Sequence, residues 1–359
     1  MEHSQITGAL GRAALAMTLL FTVCGNDAAQ SNAAYKPPEC VDNSSHKVRF
    51  VEVAPGVELE VLDWGGEKTR KSTMVLLTGL GDNAHVYDEF ALQFTDYLRV
   101  IGITRRGFGQ SSKPEGGYDL ASRVQDIIAV LKALNISQAV FVGHSLAGDE
   151  LSMLGSAYPN HVEKLVYLDA YDDYFDNSQL PALPPPPFTA ADFKSLERFQ
   201  AASARLTGTR KTNADICDSF VFGASGEIVG STTPADVQQT IFAGSGPVDF
   251  KQIQAPRLGI FKLQFIDEPR QPYYAYLDIA DRAEFGKNWP ANVAWQQDAI
   301  QRFESYGRNG IKPIVFTLPL PEPVVQQPTA VTYHYIYINN EAFVVEEMRK
   351  FLGIPLVVK

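Results

Sequence analysis

A serine between small residues follows a short apolar run in the middle of the chain. Residues 143–148 read G-H-S-L-A-G and come directly after the apolar residues 139–142. A sharp strand-to-helix turn of this kind strains the backbone, needs small neighbours and exposes the serine hydroxyl above a sheet. The positive N-terminal end of the following helix favours developing negative charge. The pattern predicts Ser145 as a nucleophile for acyl transfer, and the alternative is a serine that only caps the helix.

A nucleophilic serine needs a general base, and the chain has six histidines: His3, His46, His85, His144, His161 and His334. In enzymes with such a nucleophile turn, the acid and the histidine follow the serine in the chain. Only His161 and His334 do so, and His161 ends the helix after Ser145, on the wrong side of the predicted sheet. We therefore predict His334, in a loop before the last helix, as the base. The alternative is a histidine in a surface loop.

Three carboxylates are candidates for the acid that orients the histidine. Asp169 ends the predicted strand 164–168, at the carboxyl edge where sites gather in open α/β sheets. Asp267 and Glu268 follow the next predicted strand, which is the commoner position, but Asp267 lies rather far beyond its end. We favour Asp169 and keep Asp267, then Glu268, as alternatives. A buried carboxylate here would hold the imidazole in the required tautomer.

The sequence T-G-L-G at residues 78–81 follows another buried strand. A turn at this place can donate a backbone N–H to the oxyanion of an acyl-transfer intermediate. We predict the N–H groups of Leu80 and Leu146 as the two donors, each worth about 3 kcal/mol in the transition state. Residues 79–84 also match G-x-G-x-x-A, a dinucleotide-binding fingerprint. The ribose-binding acid expected about 20 residues later is missing, which disfavours a nicotinamide cofactor.

The surrounding elements alternate between strands and helices, which predicts an α/β protein with a mostly parallel sheet. The predicted strands are 48–53, 57–62, 74–78, 98–103, 139–142, 164–168, 257–261 and 311–316. Helices are predicted at 86–96, 120–134, 146–158, 293–303 and 341–352. The apolar strands indicate a doubly wound sheet that is covered on both faces.

The alternation stops after Ala170. Residues 171–255 are rich in proline and aromatic residues, and no clean strand is evident there. We predict a mainly helical cap at 171–255, inserted into a core of residues 47–170 and 256–359. The cap aromatics, Phe175, Phe188, Phe193, Phe199, Phe220 and Phe222, either line an apolar substrate site or pack the cap itself, and we favour packing. Residues 105–111, R-R-G-F-G-Q-S, are interpreted as a structural turn near the site, with a direct substrate role for Arg106 as the minority alternative.

Composition excludes several classes of protein. The chain has 359 residues, 45% of them hydrophobic, which is a globular composition. It carries 31 basic and 41 acidic residues, a net charge of −10, and no basic run. Binding to nucleic acid needs clustered Lys and Arg, so a nucleic-acid partner is not expected. No spacing of Cys or His typical of a metal site is present, so no metal is expected.

The N-terminus predicts export. An apolar run ending at Cys24 is too short to span a bilayer and fits a cleaved leader within residues 1–30. A lipid anchor on Cys24 is a weaker alternative, and residues 31–46 are interpreted as a linker. Cleavage leaves Cys40 and Cys217, which could form a disulfide in an oxidising compartment or be two unrelated thiols. The predicted location is secreted or periplasmic, without a stable membrane span.

Together these motifs resemble the α/β-hydrolase fold family over about residues 48–353. The resemblance rests on residues 78–81, 105–111, 143–148, L-V-Y-L-D-A at 165–170, and His334 with its following helix. Residues 143–151 are similar to a bacterial subgroup of hydrolases that carry a leader. The resemblance implies an eight-stranded sheet, a Ser–His–acid triad and no cofactor, and residues 165–170 resemble the strand end where some dehalogenases of the fold place their acid.

Three departures from the family pattern are evident. Thr78 stands where histidine is usual, Thr104-Arg105 replaces the usual aspartate, and a proline-rich stretch separates the strand near Phe316 from His334. The leading expectation is a carboxylic ester hydrolase that acts on a small molecule, for which an apolar ester is one candidate. The alternatives are a non-catalytic ligand-binding protein on the same fold and, less favoured, an amide or C–C bond hydrolase. The oligomeric state is left open.

Overall fold

A single eight-stranded sheet forms the centre of the protein. The computed structural model describes residues 35–66, 72–171, 180–263, 272–307, 312–318 and 333–356. The strands are β1 (Lys47–Ala54), β2 (Val57–Gly65), β3 (Thr73–Leu77), β4 (Arg99–Ile103), β5 (Ala139–His144), β6 (Val162–Leu168), β7 (Phe220–Phe222), β8 (Ile228–Ser231), β9 (Arg257–Lys262) and β10 (Ile314–Leu318). The central sheet has the order β1-β2-β4-β3-β5-β6-β9-β10.

The direction of the strands follows from their connections. β1 and β2 form an antiparallel hairpin whose turn contains Gly56 at φ 72°, a left-handed conformation that glycine adopts without strain. β2 is also antiparallel to β4. The other neighbouring strands of the central sheet, from β4 through β3, β5, β6 and β9 to β10, are parallel. Parallel neighbours place their carboxyl ends at one edge of the sheet. The predicted mostly parallel eight-stranded sheet is confirmed.

Helices cover both faces of this sheet. They are α1 (Leu120–Ala133), α2 (Ala147–Ala157), α3 (Leu196–Thr207), α4 (Asn213–Ser219), α5 (Val237–Ala243), α6 (Ile279–Ser305), α7 (Ile336–Asn339) and α8 (Glu341–Leu352). One apolar core joins α1, α2 and the end of α6 to one face. A second core joins α7, α8 and two short 3₁₀ turns to the other face. The buried strands therefore contact apolar side chains on both sides, as their continuous hydrophobicity predicted.

The segment between β6 and β9 holds α3, α4, α5 and the hairpin of β7 and β8. The expectation that it contains no strand is wrong, because two short runs pair with each other rather than with the central sheet. Its aromatic residues pack together: Phe193, Phe199 and Phe222 are buried, with Phe188 and Phe220 against them. The packing interpretation of these residues is thus supported, and Phe175 lies outside the described residues.

Two helical predictions differ from the structure. Residues 86–96 form two 3₁₀ turns, Ala84–Tyr87 and Phe90–Gln93, in place of one helix. The helix predicted at 293–303 is the end of α6, which begins at Ile279 and includes Pro290. The Asp278 side chain caps its N-terminus by accepting a hydrogen bond from the Asp281 N–H. Apolar periodicity alone missed the first half of α6 because much of that half is exposed.

Residues 35–46, within the segment interpreted as a linker, are attached to the fold. Cys40 is buried and forms a disulfide with Cys217 of α4, and Tyr35 pairs with Phe222. The bond closes a loop with a sequence separation of 177 residues, which restricts the unfolded chain and stabilises the fold by about 2–5 kcal/mol. Among the described residues, no helix is both long and apolar enough to cross a bilayer.

Candidate active site

The turn after β5 holds Ser145 in a strained conformation. Its φ of 53° is left-handed, which a residue with a side chain adopts only where the surrounding structure enforces it. A Cβ on Gly143 would lie 2.8 Å from Leu151 Cδ1, and one on Gly148 would lie 1.9 Å from the Tyr171 carbonyl oxygen. Both glycines are therefore required for the close packing of β5, α2 and the chain beyond β6. The expected strand–turn–helix geometry is present.

The turn after β3 lies against this serine. A Cβ on Gly79 would be 3.2 Å from Ser145 Cβ and 2.8 Å from His144 Nδ1, so only glycine allows the approach. Leu80 follows at the same edge of the sheet, and Leu146 begins α2. In the described part of the chain, no hydrogen bond is made by the backbone N–H of either leucine. Two N–H groups without a partner among the described residues therefore flank the serine turn.

Asp169 occupies the end of β6, the strand next to β5. It is completely buried, and its φ is 45°. Its Oδ1 accepts the Lys262 backbone N–H at 3.1 Å, and its Oδ2 lies 2.6 Å from His334 Nδ1. The Lys262 ammonium is 3.5 Å from Oδ2. Burial by itself would raise the pKa of Asp169, but the charge of Lys262 and the His334 contact hold that pKa below its usual range, so the carboxyl is ionised.

His334 precedes α7 and is oriented from two sides. Since an ionised carboxylate only accepts hydrogen bonds, Nδ1 of His334 donates to Asp169, and Nε2 is the unprotonated nitrogen of the neutral ring. The His144 ring, beside Ser145 in the chain, lies 4.4 Å from the His334 ring. His144 Nε2 donates to the His334 backbone carbonyl at 3.1 Å. These contacts bring the histidine loop to the nucleophile turn.

The surroundings of His334 favour its neutral form. Burial disfavours the imidazolium, and charge at His144 and Lys262 disfavours it further. Asp169 acts in the opposite direction through its hydrogen bond and its charge, and the net result lowers the pKa of His334 to about 4. A histidine that is neutral at ordinary pH can accept a proton from a neighbouring hydroxyl.

Residues 105–111 support the site without entering it. Arg105 bonds both carboxylate oxygens of Glu150 on α2, at 2.7 and 2.9 Å. The same guanidinium donates to the carbonyl oxygens of Thr78, at 2.9 Å, and Gly79, at 3.3 Å. It therefore ties the turn after β3 to the nucleophile helix. Arg106 pairs with Asp126 on α1 at 2.6 Å, which makes its role structural and disfavours a substrate role.

Polar groups anchor the α4 segment over this edge of the sheet. Lys211 contacts Asp82 of the β3 turn and lies 3.4 Å from Asp215. Tyr335, next to His334, donates to Asp82 Oδ1 at 3.0 Å. The Asp215 carboxylate accepts the Asn83 backbone N–H at 3.1 Å. This network connects the β3 turn, the histidine loop and the segment between β6 and β9.

The structure brings together most of the predicted site residues. At the carboxyl edge of the sheet, Leu80 follows β3, Ser145 follows β5 and Asp169 follows β6, and His334 reaches this edge through its 2.6 Å contact with Asp169. His161 hydrogen-bonds the Ser137 carbonyl oxygen at 2.9 Å and takes no part. Asp267 and Glu268 lie outside the described residues. Because His334 follows a proline-rich stretch, its meeting with Asp169 could not be read from local pattern.

Sequence reasoning missed several residues around the site. The roles of His144 and Lys262 depend on neighbours in space, and the only sequence signal was their position beside strand ends. Sequence spacing also gave no sign that Asp42, His46, His85 and Asp88, from two distant segments, lie together in the structure. Such a cluster leaves no regular spacing along the chain.

Comparison with known proteins agrees with the α/β fold described above. Residues 72–216 match a family model described as alpha/beta hydrolase fold. A 2-(acetamidomethylene)succinate hydrolase from Mesorhizobium japonicum is 30% identical over 117 residues, 33% of this chain and 42% of that protein. A bifunctional esterase/perhydrolase from Acinetobacter calcoaceticus is 32% identical over 124 residues, 34% of this chain and 44% of that protein.

A solved structure extends the similarity over most of the chain. The crystal structure of E-2-(acetamidomethylene)succinate hydrolase has a TM-score of 0.57 at 15% identity, covering 86% of this chain and 99% of that one. This likeness concerns the fold. The sequence matches span less than half the length of the two relatives named above.

Proposed function

Because this chain is a member of the α/β-hydrolase fold family, we propose that it is a serine hydrolase acting on carboxylic esters. Ser145 attacks the carbonyl carbon, and His334 Nε2 takes the hydroxyl proton. Asp169 holds the imidazole in the tautomer that exposes Nε2 and stabilises the imidazolium that forms. The observation that most supports this proposal is the 2.6 Å contact between His334 and the buried Asp169, beside a strained serine turn.

The reaction proceeds through an acyl-enzyme. The tetrahedral oxyanion receives hydrogen bonds from the free N–H groups of Leu80 and Leu146, and the N-terminal end of α2 adds a favourable dipole. His334 returns the proton to the departing alcohol, and water then repeats the sequence with the acyl group on Ser145. Esters are favoured over amides because an alcohol leaves more readily, and the Acinetobacter relative is named as an esterase.

Labelling with a fluorophosphonate, followed by peptide mapping, tests the proposed nucleophile. We expect the label on Ser145 alone, because Ser145 is the one serine of the described ranges that lies beside the proposed base, acid and N–H donors. Ser156, on α2, donates a hydrogen bond to the Met153 carbonyl oxygen and serves as an internal comparison. A folded protein that takes no label on any serine would favour the non-catalytic binding alternative.

Because His334 is neutral at ordinary pH, we expect the esterase activity to persist at acidic pH. The base form of His334 is required, so kcat/KM should be constant above its pKa and fall as the pH drops through about 4. At pH 6 the enzyme should keep nearly full activity, whereas a histidine at the ordinary 6.5 would leave about a quarter. The measurement is kcat/KM for a neutral ester between about pH 3.5 and 8, with circular dichroism recorded at each pH as the control for folding. A midpoint near 6.5 would contradict this account.

We also propose that the enzyme works outside the reducing cytosol. The disulfide of Cys40 and Cys217 supports this location, since such bonds persist in oxidising compartments. Intact-mass analysis of protein alkylated without reduction, recovered from its native compartment, would detect the bond. Two alkylated thiols at Cys40 and Cys217 would contradict the proposal.

A further inference from the structure

Two histidines and two aspartates meet beside β2, away from the triad. Asp42 and His46 belong to the N-terminal segment, and His85 and Asp88 belong to the 3₁₀ turn after β3 and its end. Each offers one ligand atom, and these atoms all lie within 4.8 Å of one another. We call these four residues the histidine–aspartate cluster. Two imidazoles with two carboxylates are a donor set typical of zinc and similar divalent ions.

Distances within the cluster suit one small ion. Asp42 Oδ2 lies 2.9 Å from His46 Nε2 and 4.0 Å from His85 Nδ1. Asp88 Oδ2 lies 3.0 Å from His85 Nδ1. In tetrahedral zinc with bonds of about 2.0 Å, neighbouring ligand atoms are about 3.3 Å apart. The observed separations bracket that value, so an ion could enter with small side-chain shifts.

One buried nitrogen of the cluster makes no hydrogen bond. The His46 side chain is only 1% exposed, and its Nε2 has no hydrogen-bond partner among the described residues. Asp42 Oδ2 is close enough, at 2.9 Å, but does not satisfy the direction of a hydrogen bond. A buried polar atom without a partner costs free energy, and a metal bound between Nε2 and Oδ2 would satisfy both atoms.

Outer contacts orient two of the four groups, His85 and Asp88, as ligands. His85 Nε2, on the side away from the cluster, faces Asp218 Oδ2 at 3.5 Å and Glu60 Oε1 at 3.9 Å. Asp88 Oδ1 accepts hydrogen bonds from Ser44 Oγ at 2.8 Å and Trp64 Nε1 at 3.2 Å, which leaves Oδ2 directed at His85. Histidine ligands of metals almost always donate their other N–H to a carboxylate, carbonyl or water.

We propose that the histidine–aspartate cluster binds one structural zinc-type divalent ion. Four protein ligands close the coordination shell, as in structural rather than catalytic sites. Asp42 is one-third exposed and provides the path of entry, while the other three are largely buried. Four carboxylates surround the two imidazoles when Glu60 and Asp218 are counted, and a doubly positive ion would offset part of that negative charge.

The ion would join two segments of the chain directly and a third through His85. Asp42 and His46 lie close to Cys40 in the chain, and Asp218, 3.5 Å from His85 Nε2, follows Cys217, so the proposed metal and the disulfide stabilise the same part of the molecule. The competing account is a metal-free ion pair. Burial alone would lower the pKa of His85, but hydrogen bonds with Asp218 and Asp88 raise it to about 10, so a protonated His85 could also hold the cluster together.

Metal analysis of the full chain separates the two accounts. Protein produced in medium with added zinc chloride and dialysed without chelator should contain one zinc ion per chain by plasma mass spectrometry. Chelator-treated protein should regain thermal stability of a few degrees when zinc chloride is added, because an ion that binds only the folded state stabilises it. A chain without zinc, whose melting temperature does not respond to zinc chloride, would establish the metal-free ion pair and overturn the proposal.

Variants locate the bound ion. His46→Gln should abolish stoichiometric binding, and Ser44→Ala, which removes a hydrogen bond to Asp88, should weaken binding about 10-fold. His161→Gln is the matched control, because His161 contacts only the Ser137 carbonyl among its described hydrogen bonds, and it should bind zinc normally. Equal binding by folded His46→Gln would place the ion elsewhere and overturn the proposal.

A measurement on the unmodified chain covers the case in which His46→Gln does not fold. Replacement of zinc by Co²⁺ should produce the visible absorption of tetrahedral nitrogen and oxygen coordination. A purely octahedral, aquo-like spectrum would contradict the cluster as the site. All these readouts are independent of esterase activity, so the metal proposal and the proposed function can fail separately.

Discussion

Replacement of Ser145 by alanine is expected to lower kcat for ester hydrolysis by about 10⁶-fold, to the level left by binding and oxyanion contacts alone. The reason is the covalent step: without the hydroxyl there is no acyl-enzyme, and His334 has no proton to accept. The side chain makes no hydrogen bond that holds the described fold together, so the variant should unfold at nearly the wild-type temperature. Steady-state kinetics on a short-chain ester and a thermal melt provide the measurement.

Ser156, on the helix α2 that follows Ser145, is the matched control. Ser156→Ala removes a hydroxyl whose one described hydrogen bond is to the Met153 carbonyl oxygen, so kcat should stay within a factor of about two, as for surface changes far from a site. Contaminating host esterases are excluded if the Ser145 variant is purified identically and its residual rate resists a fluorophosphonate. Wild-type turnover by folded Ser145→Ala would remove this serine as the nucleophile and with it the proposed mechanism.

Asp169→Asn is expected to lower kcat by about 10⁴-fold while the fold is kept. Asparagine has the same shape, and its amide oxygen can still accept the Lys262 backbone N–H. Its amide N–H₂ group, facing His334 Nδ1, would favour the tautomer that protonates Nε2, which can no longer act as the base. The lost negative charge also removes the stabilisation of the imidazolium. Kinetics at several pH values measure the effect.

Two parallel variants decide which acid completes the triad. Asp267→Asn and Glu268→Gln should each retain most of the activity, because the 2.6 Å contact with His334 belongs to Asp169. A 10⁴-fold loss in Asp267→Asn, with nearly wild-type activity in Asp169→Asn, would reverse the assignment. Asp169 would then be a structural group that binds the Lys262 backbone, and the buried contact with His334 would need another explanation.

Much of this protein could be predicted from local sequence alone. The small residues around Ser145 specified a strained turn because a Cβ at 143 or 148 would collide with α2 or with the Tyr171 carbonyl. Continuous apolar runs specified parallel strands because both faces of the sheet are buried. Apolar periodicity predicted where α1 and α8 begin and end. In each case the signal lies within one short segment, even where the packing that explains it involves residues distant in the chain.

Only the tertiary structure decided the partners of these residues. Asp169 and His334 are 165 positions apart, and the sequence left three acids open, since every strand end at one edge of the sheet offers a carboxylate a similar place. Cys40 meets Cys217, and His46 meets Asp88, for the same reason. Contacts across such distances depend on how strands are ordered and where loops return. That order is set by packing of the whole chain, which leaves no periodic mark on any short segment.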